Sequence, residues 1–186
     1  RAILLPLLLA GANGLLAQQE SATVSLLKIS ESEKAAYLQS LSPHEQLILN
    51  NYDLKYHRFF LHVDPAVNAI SGSVTSYFIA TQSTMSTIQF ELSQSLSADS
   101  AYHHGIHYTV SHSGGIITVP LGSVITQGIL DSVTVFYHGI PTDSFKTGTH
   151  GGIPCMSTQS EPYGARGWWP SKNDLTDKID SIDVFV

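Results

Sequence analysis

The chain has 186 residues, with 9 Lys plus Arg against 15 Asp plus Glu and a formal net charge of −6. So acidic a balance argues against a phosphate-binding surface, and no nucleic-acid partner is expected. Charged residues are 13% of the chain, about half the usual soluble share of roughly 25%. This disfavours helical bundles and coiled coils and suits an uncharged, hydroxyl-rich exported β protein. Cys155 is the single cysteine, so no intrachain disulfide can form and stability must come from a packed core.

The chain opens on Arg1, not Met, followed by Ala2, Ile3, Leu4, Leu5, Pro6, Leu7, Leu8, Leu9 and Ala10. One positive charge, a short apolar stretch and then small residues (Ala10-Gly11-Ala12, or Leu15-Leu16-Ala17 before Gln18) have the layout of a signal peptide. Residues 1–17 are therefore expected to be an export leader with a truncated start. Pro6, Gly11, Asn13 and Gly14 interrupt the run, which falls short of the roughly 20 residues a membrane helix needs. No membrane span is expected in the mature form.

Residues 18–50 are expected to be a short helical lead-in. Ser30-Glu31-Ser32-Glu33 has capping-box spacing ahead of Lys34-Ala35-Ala36-Tyr37-Leu38. Ser42-Pro43-His44-Glu45 repeats the cap, with a turn completed by residues 46–49.

From Tyr52 the period changes to two. Tyr52, Leu54 and Tyr56 alternate with Asp53, Lys55 and His57, and the run continues to the breaker Asp64-Pro65. Residues 71–80, 87–92, 107–110, 115–119 and 131–137 also have the composition of strands, separated by turn residues. Short strands without intervening helices predict a mainly β domain, an antiparallel β-sandwich over residues 51–186. Residues 139–152 lack periodicity and are expected to be a long loop. Residues 179–186 are strand-like up to the last residue, and this end, with the start that lacks Met, marks the chain as an expected fragment.

Among candidate chemistries, His103, His104 and His107 resemble a metal cluster, but zinc ligands all lie about 2.0–2.1 Å from one ion. His103 and His107 on one strand would sit about 13 Å apart, so turn or surface histidines are the expectation. His44-Glu45 begins like H-E-x-x-H, but the second histidine position is Ile48, so no metal site and no catalytic residue is assigned within the chain. Cys155 has no visible base beside it and is expected to be a buried thiol. Trp168-Trp169 could be a sugar platform, although adjacent strand residues point to opposite faces, so at least one is expected in the core. Gln159 and Glu161 are two apart and would share a face in an extended segment. A carboxylate beside an amide suits an ammonium group with a polar neighbour, so both are candidate substrate-binding residues.

The same region reads Thr158-Gln159-Ser160-Glu161 and Glu161-Pro162-Tyr163-Gly164-Ala165-Arg166-Gly167-Trp168-Trp169-Pro170, with Asp177-Lys178-Ile179-Asp180-Ser181 beyond. This region resembles the N-terminal domain of the zinc aminopeptidases related to aminopeptidase N and leukotriene A4 hydrolase, in particular their secreted bacterial branch. Tyr52-Asp53-Leu54-Lys55-Tyr56-His57 and residues 64–74 are similar to that family's opening strands. The resemblance implies a saddle-like β domain packed against a thermolysin-like catalytic domain of the same protein. It implies a peptide N-terminus as substrate, Glu161 helping to hold the free α-amine and Gln159 lining the pocket for the first side chain. Zinc is the implied cofactor of the full-length protein, with ligands beyond this fragment, which should be inactive alone. Where relatives commonly have Pro-Cys-x-Asp, this chain has Pro170-Ser171-Lys172-Asn173-Asp174, so Ser171 and Asn173 receive no role. The competing expectation is a non-enzymatic exported β-sandwich that binds sugar or protein through Trp168, Trp169 and Tyr163.

Overall fold

The chain divides into two compact units, Arg1–His44 and Glu45–Val186. The computed structural model describes residues 48–186, apart from 143 and 162, together with Glu31. The leader and most of the helical lead-in lie outside the described residues. Ile48 and Leu49, expected to finish a helix, are not helical. Ile48 is buried in the core and the Leu49 N–H donates to Gln89 Oε1 at 3.0 Å, so tertiary contacts take over there.

β1 (Tyr52–Asp64) and β2 (Val67–Ala80) form a long antiparallel hairpin, turned where Asp64 Oδ1 accepts from the Ala66 N–H at 2.8 Å. Then come β3 (Thr84–Glu91), β4 (Leu96–His103), β5 (Ile106–Tyr108), β6 (Ser111–Ser113), β7 (Ile116–Thr126) and β8 (Leu130–Gly139). A hairpin of β9 (Phe145–His150) and β10 (Ile153–Thr158), a 3-10 turn at Ala165–Gly167 and β11 (Ser181–Phe185) complete the described chain. The strands make three sheets, ordered β11-β1-β2-β8-β4-β5, β3-β7-β6 and β9-β10. The fold is mainly β, as the composition predicts, and no described helix is long and apolar enough to cross a membrane.

The two larger sheets share one core because the inward side chains of each alternate along its strands. Leu54, Phe59, Val74, Phe78, Val133 and Val135 come from the six-stranded sheet; Ile88, Phe90, Ile117 and Val119 come from the three-stranded one. Tyr52 bridges them: its ring packs on Phe78 and Phe90, and its hydroxyl donates to the Gln89 carbonyl at 2.6 Å.

Three sequence expectations need correction. The strict alternation of β1 fails at a bulge between Leu54 and Tyr56, which turns Tyr56 outward and His57 into the core. An unpaired residue shifts the period by one, and every later side chain changes face. The expected loop over residues 139–152 contains β9, paired with β10 around Gly151 and Gly152, both at positive φ. Its side chains beyond Phe145 are largely exposed, so no apolar period marks it. Pairing is also not antiparallel throughout, because β11 runs parallel to β1. Residues 159–180 are the crossover that carries the chain from the end of β10 back to the edge of β1.

That crossover is pinned by a buried cation. Lys172 Nζ donates to the Tyr52 carbonyl at 2.7 Å and Asn50 Oδ1 at 2.9 Å, and makes a short ion pair with Asp177 Oδ2. It also lies 4.6 Å from the Tyr52 ring centroid. Asp177 accepts in turn from the Leu54 N–H, and the Asp180 N–H donates to the Lys55 carbonyl at 2.8 Å. These bonds fasten the return segment to the start of β1 beside its bulge.

Removing one partner of a buried pair leaves an uncompensated charge and costs about 3–5 kcal/mol. Asp177→Ala should therefore lower the unfolding free energy by about 3 kcal/mol, and Lys172→Met in that background should restore part of it, as read by a urea-denaturation double-mutant cycle. Strictly additive losses would refute the coupling. His57 gives a second prediction: burial lowers its pKa from the ordinary 6.5 to about 4. The unfolded chain then binds more protons between those values, so stability is full above pH 6.5 and falls as pH drops towards 4. The loss from this group reaches about 3 kcal/mol. Urea midpoints measured from pH 7 to pH 4.5 should fall more steeply for the wild type than for His57→Asn; equal slopes would exclude the assignment.

Candidate functional site

The segment after β10 is a polar strap whose shape follows from close backbone packing. The Gln159 N–H donates to the Ser144 carbonyl at 2.8 Å, the Gly164 N–H to the Ser160 carbonyl at 2.7 Å, and the Thr142 N–H to the Gly167 carbonyl at 2.9 Å. A Cβ at Gly167 would collide with Ser144 Oγ and Thr142 Oγ1, so glycine lets the 3-10 turn lie against the start of β9 without displacing either side chain.

Both sequence-predicted site residues lie on this strap and are exposed. β10 ends at Thr158 and Glu161 sits in a turn, so strand alternation does not extend to Glu161. Between them, Ser160 Oγ accepts from Trp168 Nε1 at 3.1 Å, which ties the strap to the aromatic layer beneath. Gln159 and Glu161 therefore flank an anchored residue.

The tryptophans supply that anchor and do not form an exposed platform. Trp168 stacks on Phe59, with ring centroids 6.3 Å apart and planes 18° apart, and Trp169 meets Phe59 edge-on at 4.8 Å and His57 at 4.9 Å. Both are partly buried against the core. The binding-module reading, which needs these rings at the surface, gains no support from their packing.

Below the strap lies Glu91, fully buried at the end of β3. Its Oε2 accepts from Asn173 Nδ2 at 3.0 Å and lies 3.6 Å from Arg166 Nη1. Its backbone pairs with that of Ser171 in both directions, at 2.7 and 3.0 Å. Asn173 Nδ2 also reaches the Tyr163 carbonyl at 3.4 Å. The carboxylate thus faces one cationic and one amide side chain from the strap, which fixes residues 163–173 over the three-stranded sheet. Ser171 and Asn173, given no role from sequence, are structural partners here. No local spacing could reveal this, because Glu91 and Asn173 are 82 positions apart.

Elsewhere the histidine expectations divide. His107 pairs with Tyr102 across the β4–β5 hairpin, and its ring packs near Tyr102 and Phe136. His103, expected in a turn or at the surface, is buried; its Nδ1 lies 2.8 Å from the Leu121 carbonyl and its Nε2 3.1 Å from Asp131 Oδ2. The residue that sequence reasoning missed is Asp131, brought to the end of β4 by the antiparallel run of β8. Cys155, expected to be buried, is exposed, because the β9–β10 hairpin carries it outside the core. Ile48, at the failed second position of H-E-x-x-H, is a core side chain. Position 48 thus offers no metal-ligating side chain.

No protein-family model matches the sequence, and no curated protein matches it. Solved structures do. A two-domain M1 zinc metallopeptidase variant bound to L-arginine is 21% identical with a TM-score of 0.64, covering 76% of this chain and 34% of that one. The M1 zinc metallopeptidase from Deinococcus radiodurans gives 22% and 0.62, over 74% of this chain and 33% of that one. Yeast LTA4 hydrolase gives 16% and 0.62, over 77% and 25%. The chain has the fold of the N-terminal domain of M1 zinc aminopeptidases and LTA4 hydrolase, and spans about a third or less of the length of these structures.

Proposed function

We propose that this chain is the N-terminal, substrate-side β domain of an exported zinc-dependent aminopeptidase that removes N-terminal residues from peptides. The observation that carries the reading is the strap itself. On a fold shared with M1 metallopeptidases, one of which binds L-arginine, the Thr158-Gln159-Ser160-Glu161 segment is exposed and anchored through Ser160.

An exopeptidase must recognise a free α-ammonium, whose charge costs several kcal/mol to desolvate unless an anion faces it. Glu161 supplies that carboxylate in a charge-assisted hydrogen bond, and Gln159 reads a polar or backbone group beside it. The zinc that would activate water belongs to a catalytic portion outside these residues, since the sequence contains no H-E-x-x-H. Alone, the chain contributes substrate contacts and no chemistry.

Extending the coding sequence beyond Val186 and expressing the encoded protein tests the reading directly. Hydrolysis of aminoacyl-p-nitroanilides that is lost on chelation supports it; an unrelated downstream domain overturns it. In an active protein, Glu161→Gln should raise KM for unblocked substrates by about tenfold or more, the loss of roughly 1.4 kcal/mol or more of ammonium binding. Unchanged kinetics would remove Glu161 from the site while leaving the domain assignment intact. Export is part of the same proposal: N-terminal sequencing of the mature protein should begin after Ala12 or Ala17, and retention of residues 1–10 would exclude a cleaved leader.

A further inference from the structure

We propose that His103, His104 and Asp131 form a binding site for a divalent transition-metal ion of the zinc class at the tip of the β4–β5 hairpin. The ligand atoms of these three residues all lie within 4.8 Å of one another. Asp131 faces both rings, with Oδ2 3.1 Å from His103 Nε2 and Oδ1 2.8 Å from His104 Nε2. Donors about 2.0–2.1 Å from a tetrahedral ion stand roughly 3.3–3.4 Å from each other, and the two histidine–carboxylate distances fall short of that spacing by about half an ångström or less.

The orientation of His103 is set from behind. Its Nδ1 lies 2.8 Å from the Leu121 carbonyl, which can only accept, so Nδ1 carries the hydrogen. Nε2 is thereby aimed at the Asp131 carboxylate, so an imidazole nitrogen and a carboxylate oxygen converge. A divalent cation can take both as ligands. A backbone carbonyl holding one ring nitrogen while the other points at the ion is the usual support for a ligating histidine. Two imidazoles and one carboxylate are the donor types that suit zinc and its neighbours over calcium or magnesium.

Backbone conformation brings the second ring alongside the first. Adjacent residues on a strand point to opposite faces, yet the His103 and His104 rings stack with centroids 3.9 Å apart and planes 22° apart. His104 has φ +48°, the only positive φ at a non-glycine residue among those described, and Gly105 follows at +85°. The tight turn folds His104 back over His103. The His103 side chain is 0% exposed and that of Asp131 8%, while that of His104 is 61% exposed. Two ligands are thus fixed in the wall, and the third stands at the mouth, where an ion can enter and keep a water.

Isothermal titration of the 186-residue chain with Zn²⁺, paired with Co²⁺ absorption spectra, tests the site. One equivalent should bind, with a Co²⁺ spectrum of low coordination number. His104→Ala, at an exposed position, and Asp131→Asn should each weaken binding by roughly tenfold or more, whereas His107→Ala should leave it unchanged. Absence of saturable binding would overturn the proposal, as would equal affinity in His104→Ala, which would assign the ion to other histidines. If Asp131→Asn fails to fold, His104→Ala decides alone, with circular dichroism confirming its native structure.

Discussion

Two buried charges hold the crossover of this domain in place, and the position of everything beyond β10 depends on them. Glu91 and Lys172 are buried, so each needs compensation within the protein. Glu91 finds Asn173 and Arg166; Lys172 finds Asp177, the Tyr52 carbonyl and Asn50. Each charge joins the return segment to a different sheet, Glu91 to the three-stranded sheet and Lys172 to the start of β1. Apolar packing alone, being non-directional, would leave a segment with so few large apolar residues free to slide.

The strap above these charges is positioned by what lies beneath it. Phe59, Trp168 and Trp169 form a continuous aromatic layer, and the indole N–H of Trp168 reaches up to Ser160. Gln159 and Glu161, both exposed, flank that bonded residue. A side chain on a turn whose central residue is bonded to the core loses less entropy on meeting a ligand than one on a free loop. The glycine at 167 serves the same end by letting the 3-10 turn approach Thr142 and Ser144 closely.

Where the strands have a buried face, alternation is readable from sequence in β2, β3, β7 and β8, and in β1 as far as its bulge; β4, with Leu96, Ala101 and His103 buried, is not among the expected strands. β9 and β10 escaped because a hairpin exposed on both faces has no reason to alternate. Tyr56 and His57 were assigned to the wrong faces, since a one-residue bulge leaves no mark in composition. The His103 and Asp131 pair and the Glu91 and Asn173 pair are products of sheet topology, and sequence separations of 28 and 82 hide them. Gln159 and Glu161 are proposed from sequence because two residues so close together can be read as one local pattern. The supporting charges could not be, because support is supplied by strands far away.

The parallel return of β11 bears on how the chain acquires this fold. Leu54 donates to Asp177 across a separation of 123 residues, and Lys55 accepts from Asp180. During synthesis at about 5–20 residues per second, β1 would wait on the order of ten seconds for these partners. Through that interval its bulge and one edge lack their closing segment, and contacts of such long range are formed slowly. The first described strand to emerge is thus among the last to be completed, and its open edge stays available for pairing elsewhere until β11 arrives.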